Sequence, residues 1–189
     1  MAPTPLTLAE TASVFGEMLT FRKLLALAER RERKAMLAGK VEDMINTVVR
    51  QISFYTFERK VHTERRNGEL TAERIGAIWI EVQQESLGPA IALKEGYETF
   101  WAYIPHFVHS PFYVYAYAFG DCLVNSLYSV YERAAEGFGE RYVAMLAAGG
   151  TKHHSELLKP FGLDARDPAF WQGGLGMIER MITELEGLG

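Results

Sequence analysis

The sequence lacks the features that mark several large classes of protein. It has one cysteine, Cys122, in 189 residues, so no disulfide can form within the chain, and a lone cysteine among apolar neighbours is ordinarily buried. No stretch reaches the ~18 apolar residues that a membrane-spanning helix requires. The first residues have neither the basic start nor the apolar run of a signal peptide. We therefore expect a cytoplasmic protein that does not bind a membrane.

Charge and motifs exclude further classes. The net charge of −4 gives no reason to expect nucleic acid as a partner, since nucleic-acid binding proteins present basic surfaces. The sequence contains no glycine-rich phosphate loop and no Gly-x-Ser-x-Gly turn. It also lacks the His-Glu-x-x-His pair with which a helix binds zinc. Because 48% of the residues are hydrophobic, the chain can bury a core, and we expect one domain over residues 1–189.

Apolar residues recur at intervals of three and four along most of the chain, which predicts helices. No segment alternates as a strand does, so the predicted fold class is all-α. Glycine at position 39 is expected to separate a short helical piece from the long second helix, and the charged residues 29–34 should form a solvated surface. The first predicted helix ends near residue 27, and the others cover about 41–66, 72–86, 111–136, 140–148, 155–158 and 168–188. Thr71 is expected to cap the helix that begins at 72, and Asp167 the helix that begins at 168.

Residues 104–120 carry the most suggestive side chains. Pro105 and Pro111 interrupt the segment, so we expect a loop that feeds a helix beginning at Pro111. His106 lies in the loop, while Tyr113 and Tyr117 are four residues apart and should share one helical face. Phenols can hydrogen-bond a developing oxyanion and imidazole can donate to a carbonyl, so the segment could line a polar site. The alternative is a buried aromatic helix whose hydroxyls find local partners.

Two other patterns have structural explanations that need no ligand. Thr7 and Glu10 have the spacing of a capping box, in which the carboxylate bonds the start of its own helix. The neighbouring histidines His153 and His154 follow Gly149-Gly150 in a short polar turn. We expect that pair to be exposed rather than bound to a metal.

Four segments in order resemble one known family. Residues 4–17, 40–51, 104–117 and 160–171 are similar to the C-terminal part of the oligoendopeptidase F group, zinc metallopeptidases of the thimet oligopeptidase clan. The resemblance covers essentially the whole chain and implies a multi-helix C-terminal lobe of an oligoendopeptidase-like fold. Members of the family cleave short peptides in a deep channel. Their zinc is held by the two histidines of a His-Glu-x-x-His helix and by a glutamate on the next helix.

The resemblance assigns roles to six residues of this chain. It implies that Glu10 is a metal ligand. It implies that three catalytic residues bind substrate and stabilise the tetrahedral intermediate, namely His106, Tyr113 and Tyr117. His109 and Tyr115 would be substrate-binding wall residues. A glutamate completing a site of two imidazoles and a water is sensible zinc chemistry. For Glu10 the capping box remains the competing interpretation.

The chain departs from the family in one large respect, because the His-Glu-x-x-His helix is missing. We therefore interpret it as a C-terminal fragment of the peptidase catalytic region. We expect zinc to be bound by the intact family enzyme and not by this chain alone, which should then be inactive. The expected partners are short peptides and a second copy of the chain, in a homodimer formed through exposed apolar surface. The alternative function is a non-catalytic helical module that binds peptides or another protein.

Overall fold

The computed structural model describes residues 11–189, and this part of the chain is helical and has no strand, which confirms the all-α prediction. The α-helices are α1 (Thr11–Leu27), α2 (Arg30–Arg65), α3 (Ala72–Leu87), α4 (His106–His109), α5 (Tyr115–Arg133), α6 (Phe138–Ala148), α7 (His154–Leu158) and α8 (Pro168–Glu186). Short 3-10 helices cover Tyr97–Tyr103, Gly149–Thr151 and Lys159–Phe161. None of the helices in this described part is both long and apolar enough to cross a membrane.

The described residues form two compact units, whose boundaries fall inside α2 and α5. One unit is Asn46–Ala118, and the other comprises residues 11–45 and Phe119–Gly189. The expectation of a single domain over residues 1–189 stays a prediction.

The unit Asn46–Ala118 is built around Trp79, which is fully buried on α3. Phe54 and Phe57 of α2 lie 5.6 and 5.2 Å from its ring, and burial of such aromatic surface is the main source of stability in a small core. The 3-10 helix Tyr97–Tyr103 packs closely on α3 at Gly76. A Cβ atom at position 76 would lie 2.9 Å from the carbonyl oxygen of Glu98. Glycine at position 76 therefore permits this close approach.

The second unit has an aromatic core centred on Phe15 of α1, which is 4% exposed. The Phe15 ring lies 4.5 Å from Tyr142 and 5.5 Å from Phe138, both on α6. Elsewhere in this unit α8 packs against α5, and the Ser126 hydroxyl donates to the Phe170 carbonyl oxygen over 2.8 Å. The buried Cys122 confirms the sequence-based expectation for that thiol.

Helix ends follow the predicted caps where a polar side chain precedes the helix. The Thr71 hydroxyl accepts from the Arg74 amide at the start of α3 over 3.2 Å, and the Asp167 carboxylate accepts from the Ala169 amide at the start of α8 over 2.9 Å. Both caps satisfy amides that the first helical turn leaves unpaired. The predicted capping box at Thr7 and Glu10 lies outside the described residues.

The predicted break at Gly39 is wrong, because α2 runs without interruption from Arg30 to Arg65. A helical glycine costs only about 1 kcal/mol relative to alanine, and one such cost is too small to end a helix of this length. Within residues 29–34 the side chains are exposed apart from the half-buried Arg33, which pairs with Glu184. The predicted solvated surface is thus confirmed for most of its length.

The segment before α5 also differs from the prediction. His106 lies in the short helix α4 rather than in a loop, and α5 begins at Tyr115 rather than at Pro111. The reason is Phe112, which has a φ of +60° and therefore cannot lie in a right-handed helix. Ile104 is extended, as the following proline predicts.

Candidate functional site

Three of the predicted site residues come together in the unit Asn46–Ala118. The Nε2 atom of His106 lies 3.3 Å from the hydroxyl oxygen of Tyr117. The rings of Tyr113 and Tyr117 are 5.3 Å apart, and the His106 ring is 5.8 Å from each of them. We refer to His106, Tyr113 and Tyr117 as the His/Tyr cluster. All three side chains are half-buried, so they are held by packing and remain accessible to a ligand.

The cluster is assembled from three consecutive pieces of chain. His106 is the first residue of α4, Tyr113 lies in the turn that follows it, and Tyr117 is in the first turn of α5. The sequence predicted that the two tyrosines share one helical face, and this is wrong because Tyr113 lies outside α5. The turn at Phe112, whose backbone lies in the left-handed region, separates His106 on α4 from both tyrosines.

Helix α2 supports this turn with side chains on one face. The Glu58 carboxylate accepts a hydrogen bond from the Phe112 amide, with 2.8 Å between Oε1 and the nitrogen. The His62 and Tyr55 rings lie 4.9 and 6.3 Å from the Phe112 ring. Positions 55, 58 and 62 are three and four residues apart, so they project from the same side of the helix.

Glu58 is the functional candidate that the sequence did not reveal. It is 2% exposed, and its second oxygen, Oε2, is buried without a hydrogen-bond partner among the described residues. Burial raises the pKa of this carboxyl, while the Phe112 amide, His62 and His106 act in the opposite direction. A glutamate at an inward position of an amphipathic helix was the available signal, but its partner lies 54 positions further along the chain.

The other two substrate-binding candidates do not join the cluster. His109 is exposed at the end of α4. Tyr115 is 41% exposed, and its ring packs 6.0 Å from Tyr55. Both are on the surface of the same unit as the cluster, and their predicted role as wall residues stays a prediction.

The predicted metal ligand Glu10 lies outside the described residues. Among residues 11–189, no group of three or more His, Cys, Asp and Glu side chains is arranged to hold a metal ion. His153 is exposed and its Nδ1 lies 2.8 Å from the Ser155 hydroxyl oxygen, as expected for a polar turn, whereas His154 is half-buried.

The side chains of the His/Tyr cluster can form hydrogen bonds with a ligand, and we assign none of them as a nucleophile. A phenol donates one hydrogen bond, and a neutral imidazole donates from one nitrogen and accepts at the other. Two phenols and an imidazole can thus donate to a carbonyl oxygen or to an oxyanion that develops from it. Such an arrangement can hydrogen-bond and polarise a carbonyl group, and a nucleophile that attacked this group would have to come from elsewhere.

Comparisons with known proteins find a matching family and several relatives of this chain. A family model described as Peptidase family M3 matches residues 1–177. Oligopeptidase PepF of Bacillus subtilis is 30% identical over 182 residues, which are 95% of this chain and 27% of that protein. The plasmid-encoded oligoendopeptidase F of Lactococcus lactis is 30% identical over 186 residues, which are 97% of this chain and 31% of that protein.

The fold is also similar to a solved structure. The crystal structure of oligoendopeptidase-F from Enterococcus faecium superposes with a TM-score of 0.87 at 29% identity, covering 98% of this chain and 36% of that one. The chain thus spans about a third of the length of the proteins it matches, and it corresponds to their C-terminal part.

Proposed function

Because the chain belongs to Peptidase family M3, we propose that it is the C-terminal portion of the catalytic region of an oligoendopeptidase that hydrolyses short peptides. The observation that supports this most directly is the His/Tyr cluster. In it, the Nε2 atom of His106 lies 3.3 Å from the hydroxyl oxygen of Tyr117. Donors of this kind suit the carbonyl of a peptide bond. The names of the relatives, oligopeptidase and oligoendopeptidase, support short peptides as the substrates.

In this proposal the cluster binds the scissile carbonyl and the oxyanion that forms from it. Tyr117 donates from its hydroxyl, and His106 holds that hydroxyl in position through its ring nitrogen. Tyr113 packs against both rings and limits the directions in which the Tyr117 phenol can turn. Donors that are already oriented need no reorganisation as charge develops, which is why such sites lower a barrier by several kcal/mol.

The metal requirement follows from the family and not from the described residues. Peptidases of this family depend on zinc in general, and bound zinc activates water and polarises a carbonyl. We assign Glu10 as the one zinc ligand that this chain contributes. Since the sequence contains no His-Glu-x-x-His, we propose that the chain alone does not hydrolyse peptides.

The proposal is tested by supplying the missing helix. A chimera carries this chain in place of the C-terminal third of Enterococcus faecium oligoendopeptidase-F. It should bind zinc and hydrolyse a fluorogenic peptide, whereas this chain alone should do neither. Glu10→Ala in the chimera should weaken zinc binding, as measured by calorimetry. The exposed Glu42 of α2 offers a matched control, since Glu42→Ala should leave both properties unchanged.

Two outcomes would contradict the proposal. A folded chimera in which Glu10→Ala retains zinc and full activity would refute the ligand assignment and favour the capping box. A folded chimera that binds peptide with zinc present but shows no turnover would favour the non-catalytic binding module.

A further inference from the structure

The buried carboxylate of Glu58 is not explained by the stability of the fold. Removing a carboxylate from water is costly unless its oxygens are paired. Here Oε1 has a single partner, the Phe112 amide, and Oε2 is buried with none among residues 11–189. An apolar side chain at position 58 would avoid that cost. A costly group of this kind is often retained for a functional reason.

The hydrogen bond that the Glu58 side chain accepts comes from a strained residue. Phe112 is the one non-glycine residue with a positive φ in the described part of the chain. For a bulky side chain this conformation persists only when surrounding contacts enforce it. The Phe112 amide is fixed by the Glu58 carboxylate over 2.8 Å, and its ring by His62 at 4.9 Å.

The strained residue controls the geometry of the His/Tyr cluster. Phe112 immediately precedes Tyr113 and lies between α4, which carries His106, and α5, which carries Tyr117. A change in φ at this position would rotate Tyr113 and Tyr117 relative to His106. The 3.3 Å separation of His106 Nε2 and the Tyr117 hydroxyl oxygen therefore depends on the turn that Glu58 holds.

We propose that Glu58 is the positioning residue of the His/Tyr cluster: its carboxylate holds the Phe112 amide and so fixes the turn that places Tyr113 and Tyr117 against His106. The residue acts through the backbone and does not touch the substrate. Its importance for catalysis rests on the proposed function, whereas its effect on the arrangement of the cluster does not.

The test separates the reach of the side chain from its charge. Glu58→Gln keeps an acceptor oxygen at the same distance from the backbone but removes the charge. Glu58→Asp keeps the charge but withdraws the acceptor by one methylene. If the hydrogen bond to Phe112 is what matters, Gln should preserve the cluster and Asp should disrupt it. Glu42→Asp on the exposed surface of α2 is the matched control.

The first measurements use this chain alone and need no activity. Amide hydrogen exchange followed by NMR should show the Phe112 amide exchanging about tenfold faster in Glu58→Asp, the factor expected for loss of one hydrogen bond. Exchange in Glu58→Gln and Glu42→Asp should stay near the parent rate. Nuclear Overhauser contacts between the His106 and Tyr117 rings should be lost only in Glu58→Asp.

The last measurement uses the active chimera. There Glu58→Asp should lower kcat by at least tenfold with little change in KM, and Glu58→Gln should retain most of the turnover. Unchanged Phe112 exchange and intact ring contacts in folded Glu58→Asp would overturn the inference. Loss of turnover and of the ring contacts in Glu58→Gln, with both retained in Glu58→Asp, would also overturn it, since charge and not reach would then be the requirement. If the parent chimera is inactive, the proposed function fails, and the exchange and ring-contact measurements still decide the role of Glu58.

Discussion

The Nε2 atom of His106 lies 3.3 Å from the hydroxyl oxygen of Tyr117, although the two residues belong to different helices and are 11 positions apart. This separation is within reach of a hydrogen bond but longer than the usual distance. Such contacts in an active site often tighten only when substrate is bound. The pair is therefore the first place to test whether the cluster stabilises an oxyanion.

Replacing Tyr117 with phenylalanine in the active chimera should remove this donor and leave the ring in place. Loss of one donor to an oxyanion typically lowers kcat by roughly 10²–10³, and we expect KM to change much less because the ground-state carbonyl is bound more weakly. Steady-state kinetics with a fluorogenic peptide measure both constants. Tyr103→Phe, at a phenol that is 76% exposed, should leave both unchanged. A Tyr117→Phe enzyme with parental kcat would remove Tyr117 from the catalytic residues.

Adjacent glycines in α8 should respond in opposite ways to alanine. A Cβ atom at Gly174 would lie 2.9 Å from the Cys122 carbonyl oxygen and 3.1 Å from its Cα, whereas the nearest atom to a Cβ at Gly173 is the Ser126 hydroxyl oxygen at 3.6 Å. Gly174→Ala must push α8 away from α5 and should cost roughly 1–3 kcal/mol. Gly173→Ala should be neutral or stabilise the fold by up to about 1 kcal/mol through helix propensity. Urea unfolding of both variants measures the difference, and equal effects would contradict the close packing.

The sequence predicted the helices well because their apolar periodicity and caps are local. Thr71 and Asp167 were both placed correctly at helix starts, since a cap bonds an amide two or three residues away. The break assigned to Gly39 failed for the opposite reason. Packing along a helix of 36 residues outweighs the propensity of one glycine.

The candidate site was predicted only in part. Tyr113 and Tyr117 were given a shared helical face, which is wrong because Phe112 has a positive φ that no local rule assigns to phenylalanine. Glu58 was missed altogether, since its partner is distant along the chain. The residues alone singled out His106, Tyr113 and Tyr117 as the possible lining of a polar site, whereas their catalytic roles came from the resemblance to a family. Their distances from one another became visible only in the folded chain.

Exposed leucines on α1 lead to a prediction about association. Leu24 and Leu27 are 52% and 78% exposed and are three residues apart, so they form part of one apolar surface. We propose that this chain, when alone, covers such a surface in a two-fold homodimer. Sedimentation velocity should then show a dimer at high concentration. Leu24→Lys should shift it toward monomer, because burying a charge in the interface is costly. Val143→Lys, at a valine that is 64% exposed on α6, should not. A parent chain that stays monomeric would contradict the proposal.

A buried carboxylate in the second unit should make stability depend on pH. Asp121 of α5 is 7% exposed, and its carboxylate accepts from the Asn125 amide over 2.9 Å. Burial raises its pKa from 3.8 to about 6, although the nearby Lys40 and the hydrogen bond from Asn125 oppose the shift. Between these two pKa values the folded state keeps a proton that the unfolded state has already released. The contribution of Asp121 to stability therefore falls as pH rises through this window.

Asparagine at position 121 should remove that dependence. The rise in the pKa of Asp121 from 3.8 to about 6 corresponds to roughly 3 kcal/mol. Asp121→Asn should therefore gain stability relative to the parent by up to that amount as pH rises from about 4 to 6. The carbonyl oxygen of the new side chain can still accept from Asn125, which keeps the local hydrogen bond. Urea unfolding at several pH values measures the difference in free energy of unfolding, with the exposed Asp43→Asn on α2 as the control. If the parent and Asp121→Asn differ by the same amount at every pH in this window, Asp121 is not the group that titrates.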